Sequence, residues 1–308
     1  MALSVNTVAG PVPAGDLGRT LMHEHTTILW PGAEYDYRRP APLTQLDVLT
    51  AQLAKAKAAG IATIVDAAPG DLGRNVDIAR EAGARAGVNI IAVTGQYSYY
   101  RMPWYDSPAV AKANPTDADD LAGNFVREIE QGIGDSGVRA GLIKVATDSG
   151  ELSAYEERAL RAAARAHRAT GVAIITHTQD GLRGLEQTAI FADEGVDLSR
   201  VVIGHNDTGD LRYLLEMLDC GVTLGYDRMG YEAFLPERVR MAALLTLLRM
   251  GYERQIVLSH DVVGGYANTH VDMSYVSDVV VPRLLKEGIE EPVIDVLLIE
   301  NPRRILAG

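Results

Sequence analysis

Eight short runs of apolar, β-branched residues recur along the chain, each followed by a longer segment of helical period. This alternation narrows the possible folds more than any other feature. The runs are Thr20–His25, Thr63–Ala67, Asn89–Tyr97, Gly141–Thr147, Ala173–Thr178, Val201–His205, Thr223–Asp227 and Ile256–Asp261. Between and after them the pattern predicts helices near 43–59, 73–86, 117–132, 154–170, 182–194, 210–219, 237–250, 272–287 and 291–298. Near-continuous apolar strands have both faces buried, as in a parallel sheet covered by helices. Eight such units over about 250 residues point to the α/β class and a (β/α)8 TIM barrel. A doubly wound sheet is the alternative, but it calls for a phosphate-binding glycine loop after an early strand, and none follows the first three runs. Ahead of the first run, Val5–Val8 and Gly10–Pro13 read as a short β-hairpin placed to plug the barrel bottom. No linker or low-complexity tract divides the chain, so 1–308 is expected to be a single barrel domain.

The polar residues concentrate at the ends of these runs. The first ends His23-Glu24-His25, the fourth carries Lys144, the fifth His177, the sixth ends at His205 and the eighth at Asp261. Strands of a parallel barrel point the same way, so these ends meet at one rim, where barrel enzymes keep their chemistry. Side chains alternate along a strand, so His23 and His25 share a face and can chelate one ion, with Glu24 pointing away. The bland alternative, a satisfied polar residue at each strand end, has to be repeated independently for four strands.

Lys144 is the odd member. An ammonium beside two divalent ions is repelled by several kcal/mol, about 4 kcal/mol per unit-charge pair at 4 Å and an effective dielectric of about 20. Either it snorkels to solvent, or it is neutral and has reacted with CO2 to give an anionic carbamate that bridges two metals. A carbamate, Asp261 and a hydroxide would nearly balance two divalent ions among neutral imidazoles. On spacing alone the two readings are even.

Composition excludes some partners. Lys plus Arg is 29 and Asp plus Glu is 41, a net charge of −12. Nucleic acids and anionic membranes both require basic surface, so neither is expected. No apolar run is long enough for a transmembrane helix. Met1-Ala-Leu-Ser-Val-Asn6 has no basic segment leading into an apolar one, and Cys220 is the single cysteine. The expectation is a cytoplasmic protein.

The set His23, His25, Lys144, His177, His205 and Asp261 resembles the binuclear site of the phosphotriesterase family of the amidohydrolase superfamily. Further segments carry the resemblance over nearly the whole chain: Thr20-Leu-Met-His-Glu-His25, Gly141-Leu-Ile-Lys144, Ile174-Ile-Thr-His177, Gly184-Leu-Glu-Gln187, Val202-Ile-Gly-His205, Leu258-Ser-His-Asp261 and Glu300-Asn-Pro302. Within the family the chain is most similar to the phosphotriesterase-like lactonases. They carry an Arg at the position of Arg228, after Asp227, where organophosphate hydrolases usually have His, and a Tyr at the position of Tyr97. One departure concerns the substrate: the loop 262–271 is shorter than in many lactonases and lacks their tryptophan.

The resemblance implies two divalent metals, Zn first and Mn, Co or Fe next. His23, His25 and Asp261 would hold the more buried ion and His177 and His205 the more exposed one, with carboxylated Lys144 bridging both. It implies attack of a metal-bridging hydroxide on a small-molecule lactone or ester, with Asp261 as proton acceptor and Tyr97 and Arg228 acting on the substrate. N-acyl-homoserine lactones, and hence quorum quenching, are one substrate class, and phosphotriesterase activity is promiscuous. An organophosphate triester hydrolase and a non-catalytic binding or scaffold barrel are the alternatives. Tyr99, Tyr266 and His270 are candidate substrate contacts, Trp104 and Met229 candidate pocket walls, and a homodimer is implied. His260 is expected behind the ligands, and His167 on the surface.

Overall fold

A computed structural model of the chain describes residues 3–29, 41–97, 117–206, 208–266 and 269–308; Tyr99 and Trp104 lie outside them. A hairpin of β1 (Ser4–Thr7) and β2 (Gly10–Pro13) comes first. Eight parallel strands follow: β3 (Arg19–Glu24), β4 (Ile61–Asp66), β5 (Asn89–Gln96), β6 (Leu142–Thr147), β7 (Ile174–Thr178), β8 (Val201–Ile203), β9 (Thr223–Tyr226) and β10 (Ile256–Leu258). They pair in sequence order, each with the next. The intervening helices are α1 (Pro42–Ala58), α2 (Val76–Ala86), α3 (Ala118–Glu130), α4 (Ala154–Thr170), α5 (Gly184–Asp193), α6 (Leu211–Asp219) and α7 (Glu237–Arg249). The architecture is the (β/α)8 barrel with its hairpin.

Helix ends follow local chemistry. Ser153 and Glu156 form a reciprocal capping box at the start of α4, and Gly171 ends it in the left-handed conformation. Glu156 also accepts from the Asp148 amide at 2.7 Å, tying the exit of β6 to α4. After β10 come a π-helical turn (Val276–Val280) running into α8 (Val281–Lys286), then α9 (Glu291–Asp295), a second π-helical turn (Val296–Glu300) and α10 (Asn301–Ala307). The last helical stretch outruns the predicted 291–298. Pro302 falls where the second π-helical turn passes into α10 and does not terminate the stretch. A GxGxxG string at Gly132–Gly137 joins α3 to β6 rather than a strand to a helix, so it opens no phosphate-binding helix.

Alternation sends one set of strand residues outward against the helices and the other inward. Met22, Val65, Ile91, Val93, Leu142, Ile175, Val202 and Val257 form the inner cluster with Val5 of the hairpin and Ile305 and Leu306 of α10. These last three close the N-terminal end, and Val8 anchors the hairpin through its amide to the Ile90 carbonyl. In the strands, the space for a side chain decides some residues. A Cβ on Gly95, which has φ +125°, would lie 1.8 Å from the Lys144 carbonyl oxygen on the neighbouring strand.

β3 and β10 meet at the closing seam. The register of β3 shifts between Leu21 and Glu24, a bulge that re-aims its last side chains. Backbone bonds then cross the seam beyond β10, from the Asp261 amide to the His23 carbonyl (3.1 Å) and from the His25 amide to the Val262 carbonyl (2.9 Å). Fully buried Glu24 completes it. Its carboxylate accepts from Ser259 Oγ (2.8 Å), the His260 amide (2.9 Å), His260 Nδ1 (2.7 Å) and the Val262 amide (2.9 Å).

Glu24→Ala leaves those donors buried and unpaired, and each charge-assisted bond contributes about 1.5–3 kcal/mol. We predict a loss of about 3 kcal/mol or more in urea unfolding of the metal-free protein; a wild-type midpoint would show that the seam closes without Glu24.

Candidate active site

His205 and Asp261 sit just past the ends of β8 and β10, in left-handed backbone at φ 61° and 59°. The predicted strands therefore end two or three residues early, and the bend turns both side chains toward the barrel axis. Non-glycine residues held there store strain, which the surrounding structure has to over-determine. Asp227 supplies much of that hold. It lies buried on the inner side after β9 and takes His23 Nδ1 on Oδ2 at 2.6 Å. Its Oδ1 takes the His205 amide and His205 Nδ1, both at 2.8 Å. Two glycines make room for it: a Cβ on Gly204 or Gly225 would come within 2.9 or 2.8 Å of Asp227 Oδ2.

Both imidazoles thus donate through Nδ1 and turn Nε2 toward Asp261. His23, His205 and Asp261 each offer a ligand atom within 4.8 Å of the others. Asp261 Oδ1 lies 3.0 Å from His25 Nε2. Lys144 completes the floor, fully buried, with Nζ 2.8 Å from His23 Nε2 and 3.3 Å from the Thr176 carbonyl. Its snorkelling alternative is thereby excluded. His177 stands edge-on to His205 at 4.4 Å between ring centroids. Its Nε2 is 3.1 Å from Gln179 Oε1, so it is the donor there and the lone pair sits on Nδ1.

Electrostatics favour ligand-ready forms. Burial, reinforced by Lys144 and Arg228, pushes His177 well below the ordinary histidine range. Burial and Arg228 do the same to His205, and burial and Lys144 lower His23. Burial also lowers the Lys144 amine to about 7, against the pull of Asp261 and Asp227. For Asp261, burial pushes upward, but the imidazoles and Arg228 outweigh it and hold the carboxyl well below its usual range. Neutral imidazoles, an ionised carboxylate and a buried His205 Nε2 without a hydrogen-bond partner are the donor set a metal ion requires.

The remaining candidates lie around this floor. Tyr97 is buried, its amide donates to the Asp71 carboxylate, and its ring stands edge-on to His177 at 5.1 Å. Arg228 Nε donates to Asp261 Oδ2 at 3.2 Å rather than to Asp227. Tyr266 donates its hydroxyl to the Ile28 carbonyl, and His270 Nε2 donates to the His260 carbonyl. His260 is behind the ligands as expected, with Nε2 accepting from the Val276 amide. Two expectations are corrected. Met229 packs in the hydrophobic core rather than on a pocket wall. His167 is buried, not on the surface, because it continues the Ala159–Ala163 face of α4 and bonds the Val172 carbonyl at 2.9 Å.

The reading of the sequence gave no role to Asp227, Glu24 or Gln179. Two of them carried a signal: Asp227 falls on the inner alternation of its strand, and Glu24 is an acid on the opposite face of the strand from His23 and His25.

Burial raises the Asp227 carboxyl, but His23, Lys144 and the His205 amide prevail and lower it. A carboxyl with a depressed folded pKa stabilises fully above its unfolded value of about 3.9 and loses that stabilisation as pH falls through the folded value. We predict that Asp227→Asn destabilises the metal-free protein at pH 7 and that its difference from wild type shrinks below about pH 4. Urea titrations from pH 7 to 3 check this; a pH-independent difference refutes it.

Comparison with known proteins places this geometry. Residues 3–306 match the phosphotriesterase family. A phosphotriesterase homology protein of Mycobacterium tuberculosis is 38% identical over 98% of this chain and 97% of its own. An aryldialkylphosphatase of Saccharolobus solfataricus is 30% identical over 96% and 97%. A solved structure from the engineering of organophosphate hydrolysis activity from a weak promiscuous lactonase template superposes with a TM-score of 0.90 at 33% identity, covering 99% of this chain and 100% of that one. With its site built on the rim of a barrel that matches from end to end, the chain belongs to the phosphotriesterase family and is a hydrolase of that family.

Proposed function

We propose that this hydrolase opens lactones, with phosphotriesters as secondary substrates. The observation that carries the reading is Arg228, whose guanidinium is fixed on Asp261 Oδ2 at the mouth of the site. A planar cation there can donate to the oxygens of a cyclic ester, whose two acceptors lie in one plane. The lactonase template among the structural neighbours supports it.

His23, His25 and Asp261 would hold one ion, His177 and His205 the other, with Lys144 as a carbamate between them. The buried amine lowered to about 7 supports the carbamate, because only the neutral amine reacts with CO2. When bound, the metals supply Lewis acidity and a water that ionises near neutral pH. The protein positions and moves the proton. Water oxygen bonds to the lactone carbonyl carbon while Asp261 accepts its proton. The ring C–O bond then breaks, and Asp261 returns the proton to the departing alkoxide, giving a hydroxy acid. Arg228 keeps Asp261 ionised and aimed, and Tyr97, against His177, orients the ring. The aryldialkylphosphatase among the relatives favours a second reading, phosphotriester hydrolysis as the main activity.

The discriminating measurement is kcat/KM of metal-reconstituted protein on γ- and δ-lactones, acyl-homoserine lactones of graded chain length, and paraoxon. We expect lactones to be preferred about a hundredfold, or about 2.7 kcal/mol; a preference for paraoxon reverses the assignment. Lys144→Ala should lose bound metal by elemental analysis together with activity, and a short carboxylic acid should restore part of both. Full activity without the acid would remove Lys144 from the site.

A further inference from the structure

The mouth of the site carries a run of ring contacts that leads from the His260 carbonyl to the Asp261 carboxylate. His270 donates to the carbonyl of His260, the residue before Asp261, at 3.1 Å. Its ring stacks on Tyr231 with centroids 3.7 Å apart. Tyr231 meets Phe234 edge-on at 4.6 Å. The Arg228 guanidinium lies 4.0 Å from the Phe234 ring centre and bonds Asp261 Oδ2 on its other side. Two segments beyond the strands are joined in this way, 227–236 after β9 and 269–275 after β10.

The backbone is built to bring the segments together. Gly230 has φ +80°, and a Cβ there would lie 2.6 Å from Val271 Cγ1 and 3.0 Å from the Tyr275 ring. Buried Glu237 accepts from the Gly230 amide at 2.9 Å and pairs with buried Arg240, which reaches the Tyr231 carbonyl. The consequence is an uneven exposure. The Arg228 side chain is 6% exposed, while Phe234 above it is 46% exposed. The ring thus lies between solvent and the buried guanidinium beneath it.

We propose that Phe234, steadied by Tyr231 and His270, is a positioning residue that clamps Arg228 onto Asp261. A guanidinium over an aromatic face is held by the ring quadrupole and shielded from water. Without the ring the guanidinium loses one of the contacts that hold it against Asp261 Oδ2, and the carboxylate is aimed less well. The proposal depends on the lactone reading only for the choice of assay substrate.

A double-mutant cycle tests it, using metal-reconstituted enzyme, Phe234→Leu, Phe234→Trp, Arg228→Met and Phe234→Leu/Arg228→Met. Leu keeps apolar bulk without a ring, and Trp keeps the ring. For a γ-lactone, Phe234→Leu should lower kcat about fivefold with little change in KM. Phe234→Trp should stay within about twofold of wild type. The effect of Phe234→Leu should vanish when residue 228 is already Met, because coupled residues are not additive. An equal effect in both backgrounds overturns the proposal.

Urea midpoints of the same proteins are read without substrate. Coupled midpoints with no turnover of γ-lactone or paraoxon sink the lactone and phosphotriester readings and leave the clamp standing. Additive midpoints overturn the clamp whatever the substrate.

Discussion

Closure of the barrel at the seam between β3 and β10 rests on one buried carboxylate. Glu24 takes donors from Ser259, His260 and Val262, on both sides of Asp261. The backbone ladder there is sparse, because β10 ends at Leu258 and the chain turns inward to aim Asp261. Glu24 lies between His23 and His25, so one side chain ties the ligands from the start of the chain to the ligand from its far end. Closing the barrel and assembling the site are therefore one event. Such a contact joins residues more than 230 positions apart and has to offset a large loop-closure entropy.

Asp227 does a comparable job across the floor. By accepting from Nδ1 of both His23 and His205, it fixes two tautomers at once and turns both Nε2 atoms inward. Gln179 settles the opposite tautomer in His177. The dry interior keeps imidazoles and the Lys144 amine from charging, while the convergence of donors keeps Asp261 and Asp227 ionised. Each preference follows from the same low dielectric, which penalises an unpaired charge and strengthens a paired one. The strained backbone at His205 and Asp261 persists because these buried bonds over-determine it.

Much of this was legible in the residues. Period-two runs between helical segments led to the barrel, and polar residues at the run ends led to the rim. The motifs then led to the family. Other features were not legible. His167 lies on the buried face of an Ala-rich helix, where small side chains blur the hydrophobic stripe, so its burial was missed. The strand ends at His205 and Asp261 were overestimated, because nothing in a β-branched run announces a left-handed turn at a histidine or an aspartate.

By itself the sequence determined the elements, their order, and which side chains reach one end of a parallel barrel, because side-chain period and chain direction are local properties. Only the tertiary structure decided which partner each of those side chains takes. Whether Asp227 would pair with Arg228 or with two imidazoles, and whether Lys144 would reach solvent or be sealed inside, depends on distances between segments far apart in the chain. Those distances are set by how eight strands close, and no local pattern encodes them.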